Sequence, residues 1–186
     1  FLGRINADLL VGGLSGEGQV TWYTGQDMYF CQGRISMSIC SWIGGAGMEG
    51  GIFIGQDVPK ASAWVLQTGT ELYGCTDNVL PETLTGVFGY GRLSMGFNAY
   101  IFGGGLELYV GVGVFNSSPY GRGGIHLYGE ILGGLVSVEG WGMLTMIPGP
   151  PPSFEGSLKL RGCAAWVFCK SVTLSAGFSQ NGFYLG

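Results

Sequence analysis

The sequence predicts an all-β protein: a long antiparallel meander of glycine-rich hairpins that closes into a barrel or a sandwich. Three observations support this prediction. Apolar and polar residues alternate with a period of two along most of the chain, two segments resemble one another as hairpins, and 38 of the 186 residues are glycine. Alternation with a period of two is typical of strands, because successive side chains point to opposite faces. At this length we expect a single all-β domain spanning residues 1–186.

An internal repeat is the most informative feature. Residues 33–55 and 91–113, aligned without a gap, share identical residues at Gly33/Gly91, Arg34/Arg92, Ser36/Ser94, Met37/Met95, Ile43/Ile101, Gly45/Gly103, Gly47/Gly105, Glu49/Glu107 and Gly55/Gly113. The shared arginine, methionine and glutamate do not follow from the abundance of glycine. The repeat therefore predicts a scaffold built by duplication of a hairpin.

The longest alternating segment runs from 154 to 178. One face is apolar except at Lys170, and the other carries small and polar residues. This segment exceeds ordinary strand length, so we expect a bend or turn near Lys170. The same pattern predicts further strands at 4–14, 18–24, 61–67, 124–132 and 135–147, with a bulge or bend at Gly133–Gly134.

Non-strand structure is expected at few places. Pro81 and Glu82 favour one helical turn around 79–84, in the region 68–86 that separates the two hairpin copies. The proline-rich segment 148–153 is expected to be a stiff connector, since proline cannot donate to a sheet ladder. Asn181-Gly182 predicts a tight turn.

Composition argues against an ordinary water-exposed surface. Charged residues make up 11% of the chain, whereas about 25% is typical. Much of the surface is therefore expected to face other subunits or lipid, although a soluble β protein of low charge is the plainer alternative. The net charge is −4 and the eight Lys and Arg residues are scattered, which disfavours nucleic-acid binding. No apolar run reaches the length of a transmembrane helix. The chain starts at Phe1 without an initiator methionine, so we expect a processed or trimmed chain.

The five cysteines lack C-x-x-C spacing, and His126 is the only histidine, so neither a zinc site nor any other cofactor is predicted. Cys163 and Cys169 lie on one face of the same segment, about 20 Å apart if it is extended. They can form a disulfide only if the chain folds back between them. Buried free thiols are the preferred interpretation.

No motif predicts catalysis, so we expect a protein that is not an enzyme. The segment Gly45–Gly50 fits G-x-G-x-x-G, but a strand follows it instead of the helix that dinucleotide binding requires, which favours a hairpin turn. His126 lies in a predicted strand, and no G-x-S-x-G elbow is present to supply a serine nucleophile. The sequence cannot place two of its glutamates at the separation of a glycosidase site.

The charged residues preserved by the repeat are the candidate site residues. Arg34 and Arg92, together with Glu49 and Glu107, fall on the polar face of the predicted hairpins. They are positioned to pair across strands, either inside a barrel or at a subunit contact, where they would fix the strand register. The alternative is a solvated pair worth about 0–1 kcal/mol.

These features predict a structural β protein of the cell envelope or extracellular space. It would self-assemble with copies of itself, or with other envelope or extracellular proteins, through strand edges and low-charge faces into a filament, tube or larger complex. The candidate assembly strands lie near the two termini and include Ile5, Leu9, Val11, Val172, Leu174 and Phe178.

Two other functions stay open. An outer-membrane β-barrel of eight to ten strands would also show strands of this length and alternation, although aromatic girdles and long polar loops are not evident. A soluble barrel that binds an apolar ligand or a glycan is the third, and its candidate aromatic residues are Trp22, Tyr23, Trp42, Tyr100 and Tyr109.

Overall fold

The described residues of the chain form one antiparallel sheet of 11 strands, in which every strand pairs with its neighbours in sequence. The computed structural model describes residues 2–11, 13–41, 43–67, 80–147, 152–165, 167–179 and 182–185. The all-β class and the long antiparallel meander are thereby confirmed. The strands are β1 (Leu2–Val11), β2 (Leu14–Thr24), β3 (Tyr29–Ser41), β4 (Gly44–Pro59), β5 (Thr83–Ala99), β6 (Phe102–Phe115), β7 (Ser118–Ile131), β8 (Val136–Ile147), β9 (Ser153–Ala164), β10 (Phe168–Ser179) and β11 (Gly182–Leu185).

The sheet is not closed. Among the described residues, β1 pairs only with β2, and β11 covers only Ala176–Ser179 of β10. The expected closure into a barrel or a sandwich is therefore wrong for this structure. The alternating pattern predicts strands and faces, but closure depends on how the first and last strands meet, which the pattern does not encode.

The helical elements lie where strand was expected. A 3₁₀ turn spans Lys60–Ser62 and a short helix, α1, spans Trp64–Gln67, so the predicted strand at 61–67 is wrong. Short apolar runs suit a buried helical turn as well as a strand, and here Val65 and Leu66 are buried. In the described part of 79–84, residues 80–82 are not helical and β5 begins at Thr83, so the helical turn expected there is also absent.

Tight turns interrupt the longest alternating segments. The segment 154–178 folds back between Ala164 and Phe168 to give the β9–β10 hairpin, close to the bend expected near Lys170. Gly133 and Gly134 lie in the turn between β7 and β8, where both have positive φ that glycine adopts without strain. Most of the proline-rich connector lies outside the described residues, as does Asn181. Gly182, also with positive φ, begins β11.

The strand register separates the residues of the sheet into two faces. One face, hereafter the apolar face, carries aliphatic and aromatic side chains and glycines. A single row across it runs through Leu9, Gly16, Met37, Met48, Leu93, Leu108, Ile125, Gly142, Leu158 and Leu174. Lys170 is the one charged side chain on this face among the described strands, and uncharged polar residues such as Thr24, Ser41 and Gln56 lie near strand ends. The opposite face, hereafter the polar face, carries the other strand charges apart from Asp57, which lies in the β4 bulge.

The hydrophobic core lies on the polar face, towards the end of the sheet where β4 leads into the helical segment. Phe53, Phe88 and Phe115 are almost fully buried there, and Val58, Val65 and Leu84 pack with them. Neighbouring rings are close, with Phe88 and Tyr120 centroids 5.8 Å apart. The segment Lys60–Gln67 therefore covers one end of the polar face, while the apolar face has no layer of the described chain against it.

The two predicted hairpin copies occupy adjacent positions and pair in the same register. In β3–β4, Arg34 lies opposite Gly51 and Ser36 opposite Glu49. In β5–β6, the corresponding Arg92 lies opposite Tyr109 and Ser94 opposite Glu107. Equivalent residues thus have equivalent cross-strand neighbours.

Candidate functional site

Arg34, Glu49, Arg92 and Glu107 all lie on the polar face of β3–β6, but only one arginine–glutamate pair forms among them. Arg92 Nη2 donates to Glu107 Oε1 at 2.7 Å, and both side chains are mostly buried, with 22% and 18% of their surface exposed. Arg34 instead pairs with Glu17 on β2, at 3.2 Å between Nη2 and Oε1, where Glu17 is 53% exposed. Glu49 Oε1 accepts a hydrogen bond from the Tyr90 hydroxyl at 2.5 Å.

The difference between the two copies has a local cause. Both Glu17 and Glu49 are diagonal neighbours of Arg34, on opposite sides of it. Glu49 accepts from Tyr90, whereas Arg34 pairs with Glu17 and its guanidinium lies 5.9 Å from the Trp64 ring centre. Sequence reasoning placed these residues on the correct kind of face but had no signal for Tyr90 or Glu17 as partners.

Glu107 also belongs to a row of directly paired residues that crosses the polar face, one from each strand. This row, hereafter the polar-face row, consists of Ser94, Glu107, His126, Trp141 and Lys159. His126 Nδ1 lies 3.8 Å from Glu107 Oε2, which is long for a hydrogen bond. The His126 ring stacks on Trp141 at 5.2 Å between centroids and 6° between planes, and Lys159 Nζ lies 5.7 Å from the same indole. The row therefore spans five neighbouring strands. Its members are far apart in sequence, so only the register reveals it.

The polar-face row does not have the order of a nucleophilic triad. Glu107 lies between Ser94 and His126, whereas a triad needs the histidine between the serine and the acid. The Ser94 hydroxyl points instead to the Gly47 carbonyl, at 3.4 Å. In the described part of the chain, no group of three or more His, Cys, Asp and Glu side chains is arranged to hold a metal ion. The contacts of Glu107 with Arg92 and of Lys159 with Trp141 are suited to holding these charged side chains in fixed positions.

A groove of about 580 Å³ runs beside the Arg92–Glu107 pair. Its lining includes the carboxylates Asp8, Glu17 and Glu49 as well as Arg92. The lining also contains the apolar residues Leu9, Leu10, Met37 and Met48. The groove is therefore mixed in character and does not favour one class of ligand.

The five aromatic residues considered for a ligand or glycan site do not converge. Trp22 and Tyr23 follow one another on β2 and so take opposite faces, and Tyr23 stacks on Phe30 at 5.9 Å. Tyr100 lies at the β5–β6 turn and is 98% exposed, whereas Tyr109 is buried beside Tyr90. Trp42 lies outside the described residues.

The six candidate assembly residues occupy the apolar face of the two long strands nearest the sheet edges. Ile5, Leu9 and Val11 are on β1, and Val172, Leu174 and Phe178 are on β10. All six side chains are exposed. The structure therefore leaves them accessible at two opposite margins of one continuous apolar face.

The cysteines differ from the prediction of buried free thiols. Cys163 and Cys169 form a disulfide across the β9–β10 hairpin, because the chain folds back and brings their Cα atoms to 4.1 Å. Cys31 and Cys40 are free, but both are exposed. Cys75 lies outside the described residues.

None of the helices in the described ranges has both the length and the apolar character needed to cross a bilayer. No protein-family model, curated protein or solved structure matches this chain. The function must therefore be argued from the two faces and the edges of the sheet.

Proposed function

We propose that this chain is the wall of an outer-membrane-type β-structure, with its apolar face against lipid acyl chains and its polar face lining the interior. The strand length and the alternation in the sequence are compatible with an outer-membrane β-protein, and the separation of the two faces favours this function. Transmembrane β-proteins show apolar residues outside and polar residues inside, alternating along each strand.

The observation that carries the proposal is the extent of the apolar face. It runs across all 11 strands, and residues such as Ile35, Val112 and Val138 on it are about 60% exposed. Soluble monomers seldom expose continuous apolar surface beyond a few hundred Å². A face of this extent needs a cover, and lipid covers it without requiring any further protein element.

Strand length supports the same proposal. β6 has 14 residues. At ~3.3 Å per residue this is about 46 Å, which projects to about 33 Å along the membrane normal at a tilt of 45° and to about 43 Å at a tilt of 22°. Either height is enough to cross the ~30 Å hydrocarbon core of a bilayer.

The position of Lys170 is compatible with lipid around it. Lys170 follows the start of β10 at Phe168 by two residues, so it lies near one end of the sheet. A lysine side chain at such a place can extend its aliphatic stem along the apolar surface and carry its ammonium group to the headgroups. Charged side chains on the polar face do not need to extend to the headgroups, since the sheet itself lies between them and the lipid.

Lipid binding by two matched variants tests this proposal. Leu158 and Ser157 are consecutive residues of β9, on the apolar and polar faces respectively, and both are exposed. We expect the wild-type protein to require detergent for extraction and to float with lipid vesicles in a density gradient. Leu158→Arg should reduce flotation strongly, because an arginine on the lipid face costs about 2–4 kcal/mol near the bilayer midplane. Ser157→Arg should float like the wild type. Equal flotation of both variants, or a detergent-free soluble protein, would contradict the proposal.

The second candidate function is the self-assembling structural protein of the envelope or extracellular space. Among the described residues, the outer edge of β1 and the part of the outer edge of β10 beyond β11 are unpaired, which favours it, because an exposed strand edge is a template for pairing with another chain. In that case the apolar face would be covered by protein. Negative-stain electron microscopy of detergent-free material would then show filaments, tubes or regular oligomers, whereas small monodisperse particles would rule this candidate out.

A further inference from the structure

We propose that neighbouring copies of this chain complete one another's sheets, with β1 of one copy pairing antiparallel with the Phe168–Ser175 part of β10 of the next. The inference rests on the proposed membrane sheet, because unpaired backbone groups in lipid cost several kcal/mol each. It adds the identity of the partner and the register of the contact.

The two edges match in length and direction. Each consecutive pair of strands is antiparallel, so β1 and β10 run in opposite directions and can pair as antiparallel neighbours. In the described part of the chain, β11 occupies only Ala176–Ser179 of the outer edge of β10, which leaves Phe168–Ser175 free there. β11 runs in the same direction as an added β1, so the incoming strand would follow it along the same line.

The faces and β11 together select one register. The apolar residues of β1 must meet those of β10, since a slip of one residue would turn the whole strand to the wrong face. The longest pairing that leaves β11 in place sets Leu2–Leu9 against Phe168–Ser175, with Ile5 opposite Val172. Small residues then lie opposite large ones, because Ala7 meets Lys170 and Gly3 meets Leu174. The same alternation occurs within the sheet, for example along Val20, Gly33 and Ile52.

One copy is not closed on itself: in the described ranges β1 pairs only with β2, and the outer edge of β10 pairs only with β11. A barrel of the ten long strands at the usual tilt of 35–45° would require the register to shift by roughly 10–14 residues around the barrel. The row that starts at Leu9 reaches Leu174, so such a shift would leave at most about four residue pairs between β1 and β10. The proposed register pairs Leu2–Leu9 with Phe168–Ser175, at a shift of about six residues and a tilt of about 22°. Self-closure in the same register is the outcome that the double variant below distinguishes.

Engineered disulfides test both the partner and the register. In a background with Cys31, Cys40 and Cys75 replaced by serine, one tagged chain would carry Ile5→Cys and an untagged chain would carry Val172→Cys. After the two chains are mixed in vesicles and oxidised, we expect a disulfide-linked heterodimer at about ten-fold the yield of a control mixture, since only adjacent Cα atoms can be bridged. The control pairs Ile5→Cys with Leu108→Cys, which lies on the apolar face of β6 in the middle of the sheet.

The double variant Ile5→Cys/Val172→Cys separates the remaining outcomes. Our proposal predicts a ladder of dimers, trimers and larger species on a denaturing gel without reductant. A monomer that has lost both engineered thiols, measured by alkylation and mass spectrometry, would show self-closure and overturn the proposal. The absence of any cross-link would overturn it as well. Flotation is measured independently, so a membrane-bound protein without cross-links would refute only the partner.

Discussion

At the residue scale, the repeat predicts on which face the charged residues lie, but not that Arg92 and Glu107 form an ion pair. The repeat places Arg34, Glu49, Arg92 and Glu107 on one polar face, and the structure does the same. It does not predict that only Arg92 and Glu107 pair, while Glu49 accepts from Tyr90 and Arg34 pairs with Glu17. Partner choice on a sheet depends on neighbours brought by other strands, which a local pattern does not contain.

Replacement of the two paired glutamates should show this difference in stability. Glu107→Gln removes the charge from a mostly buried pair and should lower the free energy of unfolding by about 1–3 kcal/mol. Glu17→Gln alters the exposed partner of Arg34 and should lower it by less than about 1 kcal/mol. Urea unfolding in detergent micelles, followed by tryptophan fluorescence, measures both. A larger loss in Glu17→Gln than in Glu107→Gln would contradict the assignment of the buried pair.

At the element scale, the helical segment Lys60–Gln67 is the element that sequence reasoning misread. Its apolar residues resemble those of a strand, but α1 is buried through contacts with β3 and β4 and not through strand pairing. The buried side chain of Gln32 contacts the middle of the segment at two points: Nε2 donates to the Ser62 carbonyl at 2.7 Å, and Oε1 accepts from the Val65 amide at 3.3 Å. A single polar side chain in a strand carries no sequence signal for such a role.

Loss of the Gln32 amide should therefore release this segment from the polar face. Gln32→Ala leaves the Ser62 carbonyl and the Val65 amide without their partner, so we expect a loss of about 1–3 kcal/mol in unfolding free energy. We also expect faster hydrogen exchange confined to residues 60–67. Gln56→Ala, at an exposed glutamine of β4, is the matched control and should change stability by less than about 0.5 kcal/mol. Unchanged exchange in Gln32→Ala would refute the anchoring role.

At the scale of the whole molecule, the sequence predicts the faces but not the closure. The two-residue alternation of 154–178 correctly separates Phe154, Leu158 and Leu160 from Ser157 and Lys159, because the side-chain period of a strand is fixed by its geometry. Whether the outermost strands meet depends on curvature and stagger summed over all the strands. Small local differences accumulate across the sheet, and no short segment of sequence determines the sum.

The distribution of charges over the two faces explains why the low charge content of the chain is compatible with a stable sheet. Nearly all the strand charges lie on the polar face, where several are paired, and the apolar face carries Lys170 alone among the described strands. A sheet built in this way is complete only when its apolar face is covered. The central claim is that lipid is that cover.

A depth scan along β9 tests this claim most directly. Single cysteines at Ser157, Leu158, Lys159 and Leu160, labelled with an environment-sensitive dye in vesicles, would be exposed to a quencher attached to the lipid acyl chains. We predict strong quenching at Leu158 and Leu160 and weak quenching at Ser157 and Lys159, in step with the strand period. Weak quenching at all four positions, or quenching without alternation, would contradict a lipid-facing apolar sheet.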